Sequence, residues 1–274
     1  MYYNENMNSH SLYERGIKME KVFLTRENDM STITFNRPES YNALDIDMLR
    51  KLEEIITEVS ENDDKIVLLT GAGKAFSAGG DINMMTKIAN KEQFEGLMDT
   101  LTAIATNLYL LPKIVITAVN GSAAGLGLSI ALASDYIVAN EEAKFGVLFA
   151  GIGLIPDGGG HFFLKERLGV HQAKQFIWSL EQVKAKQAQK MGLVDLVTEE
   201  KAEIAALEIA QKVQMAPFQA VIRSKMILHE AKQEELAAYL VEEKLGQVKA
   251  SQTEDHQEGV QAFLEKRFPI FQGK

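Results

Sequence analysis

The stretch KIVLLTGAGKAFSAGGD, residues 65–81, decides how the chain is built. Ile66 to Leu69 are apolar without alternation, the pattern of a strand covered on both faces. A glycine-rich loop follows, and apolar residues then recur at helical spacing through Phe94, Leu97, Leu101, Ile104 and Leu108, up to Pro112. The same order of events returns in KIVITAVNG (113–121), which runs into the small-residue helix of SAAGLGLSIALASD (122–135). It returns again where YIVA (136–139) is followed by FAGIGLIPDGGGH (149–161). Buried strands that repeatedly end in a glycine turn and feed a helix predict an α/β fold. Each turn also leaves backbone N–H groups at a helix start without intrahelical acceptors, where they can serve a ligand.

Outward from these repeats, residues 20–36 read as two short strands around a turn at Glu27, Asn28 and Asp29. Asp45 is placed to cap a helix carrying Met48, Leu49, Leu52, Ile55, Ile56 and Val59. From about residue 198 the pattern turns helical, over 204–215, after Pro217, over 233–249 and over 255–267. These last helices carry apolar stripes with no strand partner, so they must pack on the core or on another subunit. The expected organisation is a disordered polar tail at 1–18, a folded core over 19–205 and a C-terminal helical region over 206–274. Residues 84–110 follow the first glycine loop and are expected to help shape a pocket floor.

The bulk numbers set limits. The 274 residues are 46% hydrophobic and 24% charged, an ordinary globular mixture. A net charge of -9 argues against a nucleic-acid partner, which requires a clustered positive surface. With no cysteine, thiolate metal sites, disulfides and cysteine nucleophiles are excluded, and the five histidines lack metal-ligand spacing, so no metal is expected. The N-terminus has no signal-peptide run and no segment reaches the length of a membrane span, so a cytoplasmic location without a membrane partner is expected. A phosphate-loop reading of GAGKAFSAGGD fails because Lys74 is followed by Ala75 and Phe76 rather than Ser or Thr.

Taken together, NRPESYNALD, KAFSAGGDI, PKIVITAVNGSAAGLGLSIALASDYIVA, AKFGVLFAGIGLIPDGGGHFFLKERLG, AKQAQKMGLVDLV and HQEGVQAFLEKRFP resemble, in order and from about residue 20 to the C-terminus, the crotonase family of enoyl-CoA hydratases and isomerases. The resemblance implies a spiral of repeated ββα units with a C-terminal helical oligomerisation region, assembled as a homotrimer or a dimer of trimers. It implies an acyl-CoA substrate, with coenzyme A as part of that substrate and no separate cofactor. It implies an enolate-like intermediate held by two backbone N–H groups, which fall at Gly80 and Leu126 here. Preorganised donors of this kind supply a few kcal/mol of transition-state stabilisation each. It places Ala78 and Ile82 against the CoA, and also Phe263 and Lys266, the last two often toward a neighbouring subunit's CoA.

Two departures narrow the chemistry. The family's hydratases use two glutamates, and the matching positions here are Ser129 and Phe149. Neither is an acid, so neither serves as the proton acceptor that hydration needs. Asp157 matches an acid found in isomerases of the family, and one acid suffices to lift a proton from one carbon and return it to another. The expected function is therefore double-bond migration in an enoyl-CoA, with Asp157 as the acid/base. Hydration, other enolate chemistry, or acyl-CoA binding without turnover stand as alternatives. Asp157 can equally be read as a helix N-cap, which would lower its pKa, where a catalytic site in an apolar pocket would raise it. Ser129, Phe149 and His161 are expected at the pocket, Ser129 chiefly as packing and His161 chiefly as a helix-surface or satisfied core histidine, with a second proton carrier as the alternative.

Overall fold

The computed structural model describes residues 20–85 and 90–274; the expected tail at 1–18 and the fold's start at Met19 lie outside the described residues. The chain opens with a hairpin, β1 (Val22–Glu27) and β2 (Met30–Phe35), whose turn places both Asn28 and Asp29 at positive φ. That twist matches the right-handed twist of the strands it joins. Helix α1 (Ile46–Glu61) follows, and the side chain of Asp45 accepts from the Met48 N–H at 3.0 Å.

The expected ββα repetition is present. In each unit the first strand joins one sheet, the second joins another, and a helix closes the turn. The units are β3 (Ile66–Gly71), β4 (Ala75–Ser77), α2 (Ile82–Met85) and α3 (Lys91–Tyr109); then β5 (Ile114–Val119), β6 (Ser122–Ala124) and α4 (Leu126–Leu132); then β7 (Tyr136–Asn140), β8 (Lys144–Gly146), the 3-10 turn Phe149–Ile152 and α5 (Gly160–Ser179). After β9 (Gln182–Lys184) and α6 (Ala185–Met191), β10 (Leu196–Thr198) completes the large sheet. That sheet runs β1-β2-β3-β5-β7-β10, and the small one runs β4-β6-β8-β9. All second strands are three residues long, too short to show a period, so the sequence reading passed over them as loop.

Strands β3 and β5 are buried at every position. Their side chains divide by parity. Val67, Leu69, Val115 and Val119 enter the main core with α1 and α3. Ile66, Leu68, Ile114 and Ile116 face Ala202, Ala205, Ala206 and Ala210 of α7 (Ala202–Met215). A sheet apolar on both faces needs a cover on both, and the first helix of the C-terminal region is that second cover. The expected boundary at 205/206 therefore falls inside a helix that belongs to the core.

Helix α8 (Phe218–Glu230) is pinned by Lys225, whose ammonium donates to Asp135 Oδ2 at 2.8 Å and to the Lys113 carbonyl at 2.7 Å. Asp135 Oδ2 also accepts the Val115 N–H at 2.8 Å. Lys225→Met is expected to cost about 3 kcal/mol in a urea unfolding titration, because it strands a largely buried carboxylate. Helix α9 (Gln233–Ala250) sends Leu236 and Leu240 into the main core. The last helix, α10 (Glu254–Leu264), lies on the 3-10 turn, with His256 Nδ1 2.7 Å from the Ile152 carbonyl oxygen. Among the described residues no helix is long and apolar enough to cross a membrane.

Candidate active site

Two glycine loops meet backbone to backbone. A β-carbon on Gly79 would lie 2.8 Å from the Ala124 carbonyl oxygen and 3.3 Å from the Leu126 nitrogen. Gly79 takes φ 95° and Gly125 φ 51°, a side of the map that L residues rarely occupy. The residues that follow them carry the two expected donors. Leu126 opens α4, so its N–H has no intrahelical acceptor. Gly80 is bracketed by a bridge in which Leu44 N–H donates to Gly79 and Asp81 N–H donates to Leu44, leaving the Gly80 N–H outside the pairing. Among the described residues neither N–H has a protein acceptor. Both residues line a cavity of about 600 Å³.

Asp157 lines the same cavity and is only 4% exposed. The preceding loop and Gly158 hold it there: a β-carbon at Gly158 would come within 2.7 Å of the Leu126 side chain. One carboxylate oxygen, Oδ2, accepts from Gln247 Nε2 at 2.8 Å, while Oδ1 has no partner. Burial pushes the carboxyl up to about 7; the Gln247 hydrogen bond opposes that rise and the charge of nearby Glu243 adds to it. The N-cap alternative is not what the helix uses. Gly159 stands at the cap position of α5 without a side-chain cap. Glu243 of α9 instead accepts the Gly159 N–H at 2.8 Å and the His161 N–H at 2.9 Å.

The remaining expected residues divide. Ala78, Ile82, Phe149 and Phe263 stand in the cavity wall. Phe263 reaches it from the chain's own α10. Lys266 is exposed just beyond α10 and is not part of the wall. Ser129 and His161, also expected at the pocket, are not in the cavity wall. Ser129 is buried between α4 and α5, where its hydroxyl would meet a β-carbon on Gly160 at 2.8 Å; it packs rather than faces the cavity. His161 turns its Nδ1 to Glu243 at 2.9 Å, away from the wall. Met84, Leu97 and Leu101 join the wall from the 84–110 segment.

Sequence reasoning missed Arg37, Gln247 and Glu243. Arg37 lines the cavity mouth and binds Asp81 at 2.6 Å. Burial opposes charge on Asp81, but Arg37 and the Asn83 N–H outweigh it and hold that carboxyl below its usual range. Gln247 and Glu243 had a faint signal: they continue the buried stripe of Leu236 and Leu240 along α9, where apolar residues belong.

Comparison with known proteins shows the family. The sequence pattern of the family described as enoyl-CoA hydratase/isomerase matches residues 25–274. YhaR of Bacillus subtilis, named for that family, is 43% identical over 254 residues, covering 93% of this chain and 100% of YhaR. The 1,2-epoxyphenylacetyl-CoA isomerase of Escherichia coli is 35% identical over 262 residues, covering 93% and 100%. The crystal structure of an enoyl-CoA hydratase from Mycobacterium avium subsp. paratuberculosis superposes with a TM-score of 0.84 at 28% identity, covering 93% of this chain and 100% of that one. Repeated ββα units, paired glycine loops and a family pattern spanning nearly the whole chain lead to one statement: this chain is an enzyme of the enoyl-CoA hydratase/isomerase family, the crotonases.

Proposed function

We propose that the enzyme moves a double bond within an enoyl-CoA, with Asp157 as the proton carrier and the Gly80 and Leu126 N–H groups binding the thioester oxygen. One observation carries the reading: Asp157 is a wall carboxyl with an unpartnered oxygen and a pKa near neutrality. The other wall acid, Asp81, is already paired with Arg37. In the forward direction Asp157 takes a proton from carbon 2 of a 3-enoyl-CoA. The electron pair delocalises into a dienolate whose oxygen the two N–H groups hold. The protonated carboxyl then returns the proton at carbon 4, giving the conjugated 2-enoyl-CoA and restoring the carboxylate. No cofactor takes part; coenzyme A arrives with the substrate.

Ser129 and Phe149 support migration over hydration, since the positions that would carry a hydratase's glutamates hold a packed hydroxyl and a phenyl ring. The exposed Phe268 and Ile270 beyond α10 suit the trimeric assembly that the resemblance implies. The test supplies 3-hexenoyl-CoA and 3-decenoyl-CoA in deuterated water and follows conjugated thioester by absorbance and deuterium by mass spectrometry. Isomerisation with deuterium entering the acyl chain is expected, with kcat/KM rising as pH climbs through about 7, because the base form of Asp157 starts the reaction. Faster formation of 3-hydroxyacyl-CoA from the 2-enoyl thioester would overturn the reading.

A further inference from the structure

We propose that Gln247, on the C-terminal helix α9, is the positioning residue that orients Asp157 toward the substrate. The inference rests on the reading of Asp157 as the proton carrier. Its geometry is independent of that reading.

Gln247 is fully buried. Its Oε1 accepts the Ile155 N–H at 3.2 Å and its Nε2 donates to Asp157 Oδ2 at 2.8 Å. A backbone N–H can only donate, so the first contact fixes which end of the amide faces the carboxyl. The amide thus spans the loop on either side of Pro156. It occupies one carboxylate oxygen and leaves Oδ1 as the one without a partner. An acid held through one oxygen by a neutral side-chain amide keeps its second oxygen for proton transfer, and the hydrogen bond restrains its rotation about the Cβ–Cγ bond.

Helix α9 is seated closely against the loop that carries Asp157. A β-carbon at Gly246 would fall 2.4 Å from Ile155 Cδ1, so α9 packs closely on the loop, against the tip of the Ile155 side chain. One turn earlier Glu243 fastens the same helix to the start of α5 through Gly159 and His161. The charged groups near Asp157 are then Glu243 from α9 with His161 of α5 bound to it, and the Arg37–Asp81 pair across the cavity. None of them hydrogen-bonds the carboxyl. Gln247 does.

The test compares Gln247→Met, which removes both hydrogen bonds, and Gln247→Glu, which keeps an acceptor for Ile155, with the parent enzyme and Asp157→Asn. Turnover of 3-decenoyl-CoA, affinity for octanoyl-CoA, and the ¹³C titration of the Asp157 carboxyl (assigned by its loss in Asp157→Asn) are measured. In Gln247→Met, kcat is expected to fall about tenfold to a hundredfold, as for loss of a hydrogen bond to an ionised group. Octanoyl-CoA affinity is expected to stay within about threefold. The carboxyl midpoint is expected to move up by about one pH unit, because the lost donor favoured the carboxylate. In Gln247→Glu the two adjacent carboxyls are expected to titrate in two coupled steps. A residue that served only to pack would lower stability and leave the midpoint in place. Unchanged kcat and midpoint in Gln247→Met overturn the proposal; if that variant does not fold, a single unshifted titration in Gln247→Glu does so. Parental turnover in Asp157→Asn would instead sink the reading of Asp157, and the titration would still judge the hold of Gln247 on the carboxyl.

Discussion

Asp157→Asn is expected to lower kcat for double-bond migration by about 10³-fold, within the range set by a single general acid–base group, while acyl-CoA affinity stays close to that of the parent. Asparagine keeps the shape and can still accept from Gln247, so the cavity and both backbone donors are preserved. Only the proton carrier is lost. The same variant should also be the more stable protein at high pH. The carboxyl titrates near 7 in the folded chain against an ordinary value of 3.8. Between those values the folded state holds a proton that the unfolded state has released, so stability falls as pH rises across the window. Above pH 7 the parent carries the full penalty, a few kcal/mol for a shift of this size. Urea midpoints measured at pH 8 should favour Asp157→Asn, and the gap should close toward pH 4. Parental turnover in the variant, or a gap that widens on acidification, would count against the assignment.

Gly79→Ala is expected to cost about 10²-fold to 10³-fold in kcat, the size of effect seen when one oxyanion donor is lost. The added methyl meets the Ala124 carbonyl oxygen at 2.8 Å and the Leu126 nitrogen at 3.3 Å, and φ 95° is itself strained for alanine. The two loops must separate, and with them the paired N–H groups of Gly80 and Leu126. Stability should drop by about 1–3 kcal/mol. Gly96→Ala is the control: it sits on the exposed surface of α3, nothing lies within 4 Å of its added carbon, and alanine suits a helix better. Steady-state kinetics and thermal melts of the two variants separate a local effect at the loops from a general intolerance of substitution.

Much of the fold was legible because its central strands are uniformly apolar and end in glycine. Ile66 to Leu69 and Ile114 to Val119 could only be buried strands, and Asp45 announced its helix. The three-residue strands were not legible, since Ala75–Ser77 and Ser122–Ala124 look like the loops they interrupt. The boundary at 205/206 cuts through α7, because a sheet with two apolar faces demands a second cover and the alanines of α7 supply it. In the site, the loop donors and Asp157 were readable because local turns present them. Gln247 was not, because nothing near it in sequence marks its partner 90 residues away. His161 was expected at the pocket but is not in the wall; its ring binds Glu243, a partner 82 residues away in sequence.

The dependence on α9 and α10 has a consequence for biosynthesis. A chain emerging from the ribosome has the strands of both sheets, and α7 to cover the second face of the large one, with Asp157 already translated. Until Gln247 and Phe263 follow, that carboxyl has no amide and the cavity lacks part of its wall. The nascent protein therefore has both sheets and the second cover of the large one before it has the residues that complete the cavity.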